Sequence, residues 1–113
     1  MIEIKNTLLL SIGLETHYHT ALLPCMLERT VERHLVQKAR DAGGLAIKWV
    51  APSMSGVPDR IVFFPGGRIV FVELKAPGQK QTPIQVRVME MLLALGAEVR
   101  VIDSKEAVDA LFA

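Results

Sequence analysis

The feature that most constrains the fold is a strand-forming run with an acidic residue near its end. Residues 69–75 read Ile-Val-Phe-Val-Glu-Leu-Lys. Because side chains alternate along a strand, one face carries Ile69, Phe71, Glu73 and Lys75, and the other carries Val70, Val72 and Leu74. Glu73 and Lys75 therefore emerge together where an otherwise apolar strand ends. Burying an unpaired carboxylate is expensive, so we expect a cation beside Glu73, either a basic side chain or a metal.

A second acid precedes the neighbouring strand. The sequence Gly-Val-Pro-Asp-Arg at residues 56–60 places Asp59 after Pro58, which keeps the residue before it extended and fixes the entry to the strand. A Pro-Gly-Gly turn at residues 65–67 then predicts a hairpin that brings Asp59 and Glu73 to the same end of the sheet. Two carboxylates suit a hard divalent cation such as Mg²⁺. Lys75 could orient the attacking water or neutralise charge that builds on phosphorus.

Simpler interpretations of these residues stay open. Glu73 and Lys75 could form a local ion pair at a strand end, as many surface pairs do. Glu32 lies at the border of the apolar stripe on the first predicted helix. It could reach the strand ends, or it could be a solvated helix residue beside Arg29 or Arg33.

Further residues around the acids have both a structural and a functional interpretation. Gln85 is explained as a capping-box residue of a helix that Thr82 caps and Pro83 opens, although it could also orient water or substrate. Four basic residues flank the acidic elements in sequence and would serve as solvated surface or as phosphate contacts: Lys48, Arg60, Lys80 and Arg87.

Composition limits the class of protein. The chain has 113 residues, half of them hydrophobic, which predicts one folded domain. The single cysteine excludes an internal disulfide and is consistent with a reducing compartment. No apolar run approaches the roughly 20 residues that span a membrane. The net charge of only +1 counts mildly against a nucleic-acid role.

The chain divides into an N-terminal arm of uncertain order, residues 1–25, and a body, residues 26–113. The arm is either docked on the body or precedes a true start at Met26. The periodicity of the body predicts the order α-β-β-β-α-β-α. Its elements are a helix over 27–42, strands over 45–51, 60–64 and 68–75, a helix from Thr82 to Gly96, a strand over 98–102, and a terminal helix capped by Asp103-x-x-Glu106.

The body resembles the virus-type replication and repair nuclease domain, VRR-NUC. The resemblance lies in the motifs Ser-Gly-Val-Pro-Asp-Arg and Val-Glu-Leu-Lys, followed by a helix that opens with Gln85 and closes at Gly96. This domain belongs to the PD-(D/E)xK nuclease superfamily. The resemblance covers the body and implies an α/β restriction-endonuclease-like core, a mixed sheet flanked by helices. By similarity, the metal ligands for Mg²⁺ or Mn²⁺ are Asp59, Glu73, the Leu74 backbone carbonyl and Glu32. Lys75 is the catalytic lysine, and Gln85 matches the family's glutamine.

The resemblance also implies an activity and partners. We expect a metal-dependent endonuclease acting on branched DNA, a Holliday junction or a flap, in phage-type replication, repair or recombination. Small members of the family are expected to be homodimers, and the compartment would be the cytoplasm of a bacterium or phage-infected host cell. The alternatives are a non-catalytic DNA-binding or scaffold module with a nuclease-like core, and an α/β interaction domain with no nucleic-acid role.

Overall fold

The computed structural model describes the backbone of residues 16–113 and the side chains from Leu27 onward. Over these residues the predicted order of elements is confirmed. The helices are α1 (Thr16–Asp41), α2 (Pro83–Ala94) and α3 (Lys105–Phe112), and the strands are β1 (Leu45–Lys48), β2 (Arg60–Phe63), β3 (Ile69–Leu74) and β4 (Glu98–Ile102). Among these helices none combines the length and apolar character that crossing a membrane requires.

The strands form one mixed sheet in the order β1-β2-β3-β4. β1, β2 and β3 are antiparallel neighbours, whereas β4 pairs with β3 in parallel through the crossover helix α2. Arg60 lies opposite Val72 in the β2–β3 hairpin. The start of β2 therefore meets the end of β3, as the turn at residues 65–67 predicts.

The main core lies on the face of the sheet that α1 and α3 cover. α1 contributes Val31, Leu35 and Ala39, which recur every four residues and so share one helix face. The sheet and α3 supply the remaining buried members: Ala46, Val62, Val70, Val72, Leu74, Ile102, Val108 and Leu111. The predicted common face of Val70, Val72 and Leu74 is thus confirmed, and it is the face that points into this core.

The opposite face of the sheet is only partly covered. α2 packs over β4, where Val88 and Val99 are buried. Val99 and Ile102 are three residues apart on one strand and therefore point to opposite faces. Beyond α2 this face keeps exposed apolar side chains: Leu45, Ile47, Phe63 and Ile69.

Several predicted boundaries differ from the structure. α1 begins at Thr16 and not at residue 27; Pro24 lies inside it, where a missing N–H normally argues against a helix. β1 ends at Lys48 and not at residue 51, because a turn precedes Pro58. The cap of α3 is Ser104, whose hydroxyl accepts from the backbone N–H of Ala107, and not the residue before it.

Candidate active site

Asp59 is held at the junction of three strands. Its carboxylate Oδ2 accepts a hydrogen bond of 2.7 Å from the backbone N–H of Leu74 at the end of β3. Its carbonyl accepts from the backbone N–H of Trp49 just beyond β1, at 3.0 Å. Pro58 before it is buried, so the turn cannot swing away from the sheet. Asp59 is therefore a fixed side chain at the predicted end of the sheet.

Gly56 lets this turn pack against the start of α2. A Cβ atom at Gly56 would lie 2.9 Å from the carbonyl oxygen of Ile84, and φ is +84°. Both the contact and the left-handed backbone exclude a side chain. The turn that carries Asp59 and the first turn of α2 are consequently in direct contact.

Glu73 is the buried acid of the site, with only 2% of its surface exposed. Its Oε1 accepts from Gln85 Nε2 at 3.2 Å. Gln85 is also the capping-box residue of α2: its Oε1 accepts from the Thr82 backbone N–H at 2.9 Å, and its own N–H donates to the Thr82 hydroxyl. The predicted cap is confirmed, and the same side chain contacts the site.

Burial raises the pKa of Glu73 to about 8, assisted by a hydrogen bond to Asp59 and by the charge of that acid; the Lys75 ammonium opposes the rise. Glu73 therefore holds its proton more tightly than an ordinary glutamate does. A buried carboxyl group beside a second carboxyl group forms a position where a cation can replace that proton. The donor set, oxygen only, fits Mg²⁺ or Mn²⁺.

Lys75 follows β3 directly, and its backbone N–H donates to the Ile102 carbonyl at 2.9 Å. It is half-buried. Among the ion pairs of residues 27–113, none joins Lys75 to Glu73. The simple pair considered from the sequence is absent there, and the Lys75 ammonium acts on Glu73 only through its charge.

Glu32 reaches the strand ends, as one of the two sequence interpretations expected, and its partner there is an arginine. Its Oε2 accepts from Arg60 Nε at 3.0 Å, and Arg60 Nη1 also donates to the Ala46 carbonyl. The pair is mostly buried, with Arg60 15% exposed and Glu32 26%. Glu32 thus ties α1 to the start of β2, and its metal role stays a prediction.

Glu28, one helical turn before Glu32, was not identified from the sequence. Partial burial raises its pKa, as do the charges of Asp59 and Glu32, while Lys75 lowers it. These interactions show that Glu28 faces the Asp59–Glu73 pair. The i, i+4 spacing to Glu32 was the available signal.

The acidic side chains do not surround a metal position on all sides. Within the described part of the chain, no three acidic, histidine or cysteine side chains group closely enough to hold a metal ion. Asp59 and Glu73 are the two protein carboxylates that the fold brings together, which leaves room for water and phosphate oxygens around a bound ion.

The four predicted phosphate contacts differ in availability. Lys48, Lys80 and Arg87 are exposed, and no ion pair within residues 27–113 engages them. Arg60 is instead committed to Glu32. Lys48 lies opposite Arg60 at the site end of β1, so at least one free cation lies at this edge.

Comparisons with known proteins extend these observations. No family model matches the chain. A protein named "Putative nuclease p44", from Acyrthosiphon pisum secondary endosymbiont phage 1, is 52% identical over 79 residues, which cover 70% of this chain and 85% of that protein. A solved structure titled "VRR_NUC domain" is similar with a TM-score of 0.71 and 36% identity, and the match covers 75% of this chain and 92% of that one.

Proposed function

Because the chain belongs to the VRR-NUC family of nucleases, we propose that it is a metal-dependent endonuclease that hydrolyses phosphodiester bonds in branched DNA. The observation that carries the proposal is the Asp59–Glu73 pair. One of its acids is buried with a pKa of about 8, beside Lys75, which no ion pair within residues 27–113 engages. A perturbed carboxyl group next to a lysine is typical of a catalytic site.

Each residue has a role in this proposal. Asp59, Glu73 and the Leu74 carbonyl would hold Mg²⁺ or Mn²⁺. When bound, the ion stabilises negative charge on the phosphate and lowers the pKa of water. Lys75 orients the attacking water and neutralises charge that develops on the phosphate oxygens. Glu28 adds negative potential that favours a cation at the pair.

The DNA backbone would lie across the end of the sheet where Asp59 and Glu73 meet. Lys48, Lys80 and Arg87 are exposed and unpaired in the described residues, so they can contact phosphates on either side of the scissile bond. These exposed cations would compensate for the small net charge. We place this activity in the cytoplasm of a bacterium or a phage-infected host cell.

A homodimer would present two such sites to one branched substrate. The sheet face not covered by α2 supports this proposal, since Leu45 is 57% exposed there and Phe63 38%. Contiguous apolar patches of this kind commonly mark protein interfaces. The Ile47→Asp variant should then be monomeric by light scattering; a dimer that survives this change would contradict the interface.

The nuclease proposal is tested by cleavage of a four-way junction, a flap and plain duplex with Mg²⁺, Mn²⁺ or EDTA. The informative variant is Asp59→Asn, because the amide oxygen still accepts from Leu74 N–H and the fold is preserved. We expect cleavage of the branched substrates only with metal and only in the wild type. DNA binding without cleavage under every metal condition would instead support a non-catalytic module, and cleavage in EDTA would refute the mechanism.

A further inference from the structure

The first turn of α2 contacts both elements that carry the site acids. Gly56, in the turn that leads to Asp59, approaches the Ile84 carbonyl so closely that a Cβ would be 2.9 Å from it. The next residue of α2, Gln85, donates to Glu73. A short segment of one helix is thus in contact with both sides of the carboxyl pair.

Both ends of the Gln85 amide are used. The oxygen accepts from the backbone N–H of Thr82 at 2.9 Å, and the nitrogen donates to Glu73 Oε1 at 3.2 Å. Because Oε1 of Gln85 is fixed by the cap, the NH₂ group must face Glu73. If the amide were rotated by 180°, its oxygen would face the acceptor oxygen of Glu73 and its NH₂ group would face the N–H donor of Thr82. Both hydrogen bonds of the Gln85 amide would then be lost.

We propose that Gln85 is a positioning residue, which uses the capping box of α2 to hold the Glu73 carboxyl in one orientation toward Asp59. This inference rests on the proposed function of the pair as a metal site. In this role Gln85 acts through Glu73, the side chain to which its amide donates. The bond that orients the Gln85 amide comes from the backbone N–H of Thr82, and the Thr82 side chain takes no part in it.

A matched pair of variants separates positioning from capping. Gln85→Met keeps the length of the side chain but removes both amide bonds. Thr82→Val removes the other half of the capping box, the hydroxyl that accepts from Gln85 N–H. It keeps the backbone N–H that orients the Gln85 amide. Both variants should lower the melting temperature, whereas only Gln85→Met should disturb Glu73.

The readout is Mn²⁺ affinity of the full chain, measured by calorimetry without DNA. Removing a group that orients a metal ligand commonly weakens binding by about 10- to 100-fold, which is the loss that we expect for Gln85→Met. Thr82→Val should bind Mn²⁺ within about twofold of the wild type, since it leaves that group in place. Wild-type affinity in Gln85→Met, or an equal loss in both variants, would overturn the proposal.

A second measurement needs no metal. The side-chain amide of Gln85 gives a ¹H–¹⁵N signal that can be assigned by its loss in Gln85→Met. The signal should shift in metal-free Glu73→Ala, because its acceptor is gone, and an unchanged signal would overturn the proposal. If the wild type neither binds Mn²⁺ nor cleaves DNA while this shift is seen, the nuclease proposal fails and the positioning contact stands.

Discussion

The buried proton of Glu73 makes the stability of the metal-free protein depend on pH. The folded state holds this proton up to a pKa of about 8, whereas an ordinary glutamate loses it at 4.5. Between these values the folded protein binds one more proton than the unfolded chain. The contribution of Glu73 is therefore complete below about pH 4.5 and is lost as the pH rises toward 8.

The expected magnitude follows from the proton linkage. Each pH unit inside the window costs about 1.4 kcal/mol of unfolding free energy. Going from about pH 5.5 to about pH 7.5 should thus destabilise the wild type by roughly 2–3 kcal/mol through Glu73 alone. Because Glu73 is only 2% exposed, little of this effect is screened by solvent.

The variant Glu73→Gln isolates this effect. A glutamine has the shape of the protonated acid, accepts from Gln85 and donates to Asp59, but it does not titrate. In urea unfolding with EDTA, the stability of the variant relative to the wild type should therefore rise with pH. Its advantage in unfolding free energy should be larger at about pH 7.5 than at about pH 5.5 by roughly 2–3 kcal/mol. A difference that is the same at both pH values would refute the reasoning, because Glu73 would then titrate alike in both states.

Three further outcomes are expected. In urea unfolding, Gly56→Ala should lower the free energy of unfolding by about 1–3 kcal/mol more than Gly78→Ala does. Both glycines have positive φ, but a Cβ atom at Gly78 meets open space. Equal losses in the two variants would contradict the contact between Gly56 and α2. Glu28→Gln should weaken Mn²⁺ binding. Glu32→Gln should mainly lower the melting temperature, because it removes the charged partner of the mostly buried Arg60. The reverse pattern would favour Glu32 as the metal ligand. Lys75→Met should lower the cleavage rate by at least about 100-fold with Mn²⁺ affinity unchanged, and loss of affinity instead would place the lysine in ion binding.

Local patterns predicted much of the site. The alternation of residues 69–75 placed Glu73 on a different face from Val72 and Leu74. The Pro-Asp turn and the hairpin then brought Asp59 to the same end of the sheet. The capping box of Thr82 and Gln85 is encoded within four residues and needs no tertiary information. These features were predictable because each depends on neighbours in sequence or on one hairpin.

The missing features depend on contacts between distant elements. The partner of Glu32 is Arg60, 28 residues away; helix position alone allowed a reach to the strand ends or a place beside Arg29 or Arg33, and could not decide between them. The close approach of Gly56 to Ile84 joins a loop to a helix. In the sequence, only the glycine itself indicates this contact. Such contacts follow from how the helices pack on the sheet, which periodicity alone does not specify.

The central claim is that Asp59 and Glu73 together hold a divalent cation. The most direct measurement is a calorimetric titration of Mn²⁺ into the full chain, with wild type and Asp59→Asn compared at one pH. The account predicts saturable binding of one ion per chain to the wild type and its loss in the variant. Equal binding by both proteins, or none by the wild type while DNA is still cleaved, would contradict it.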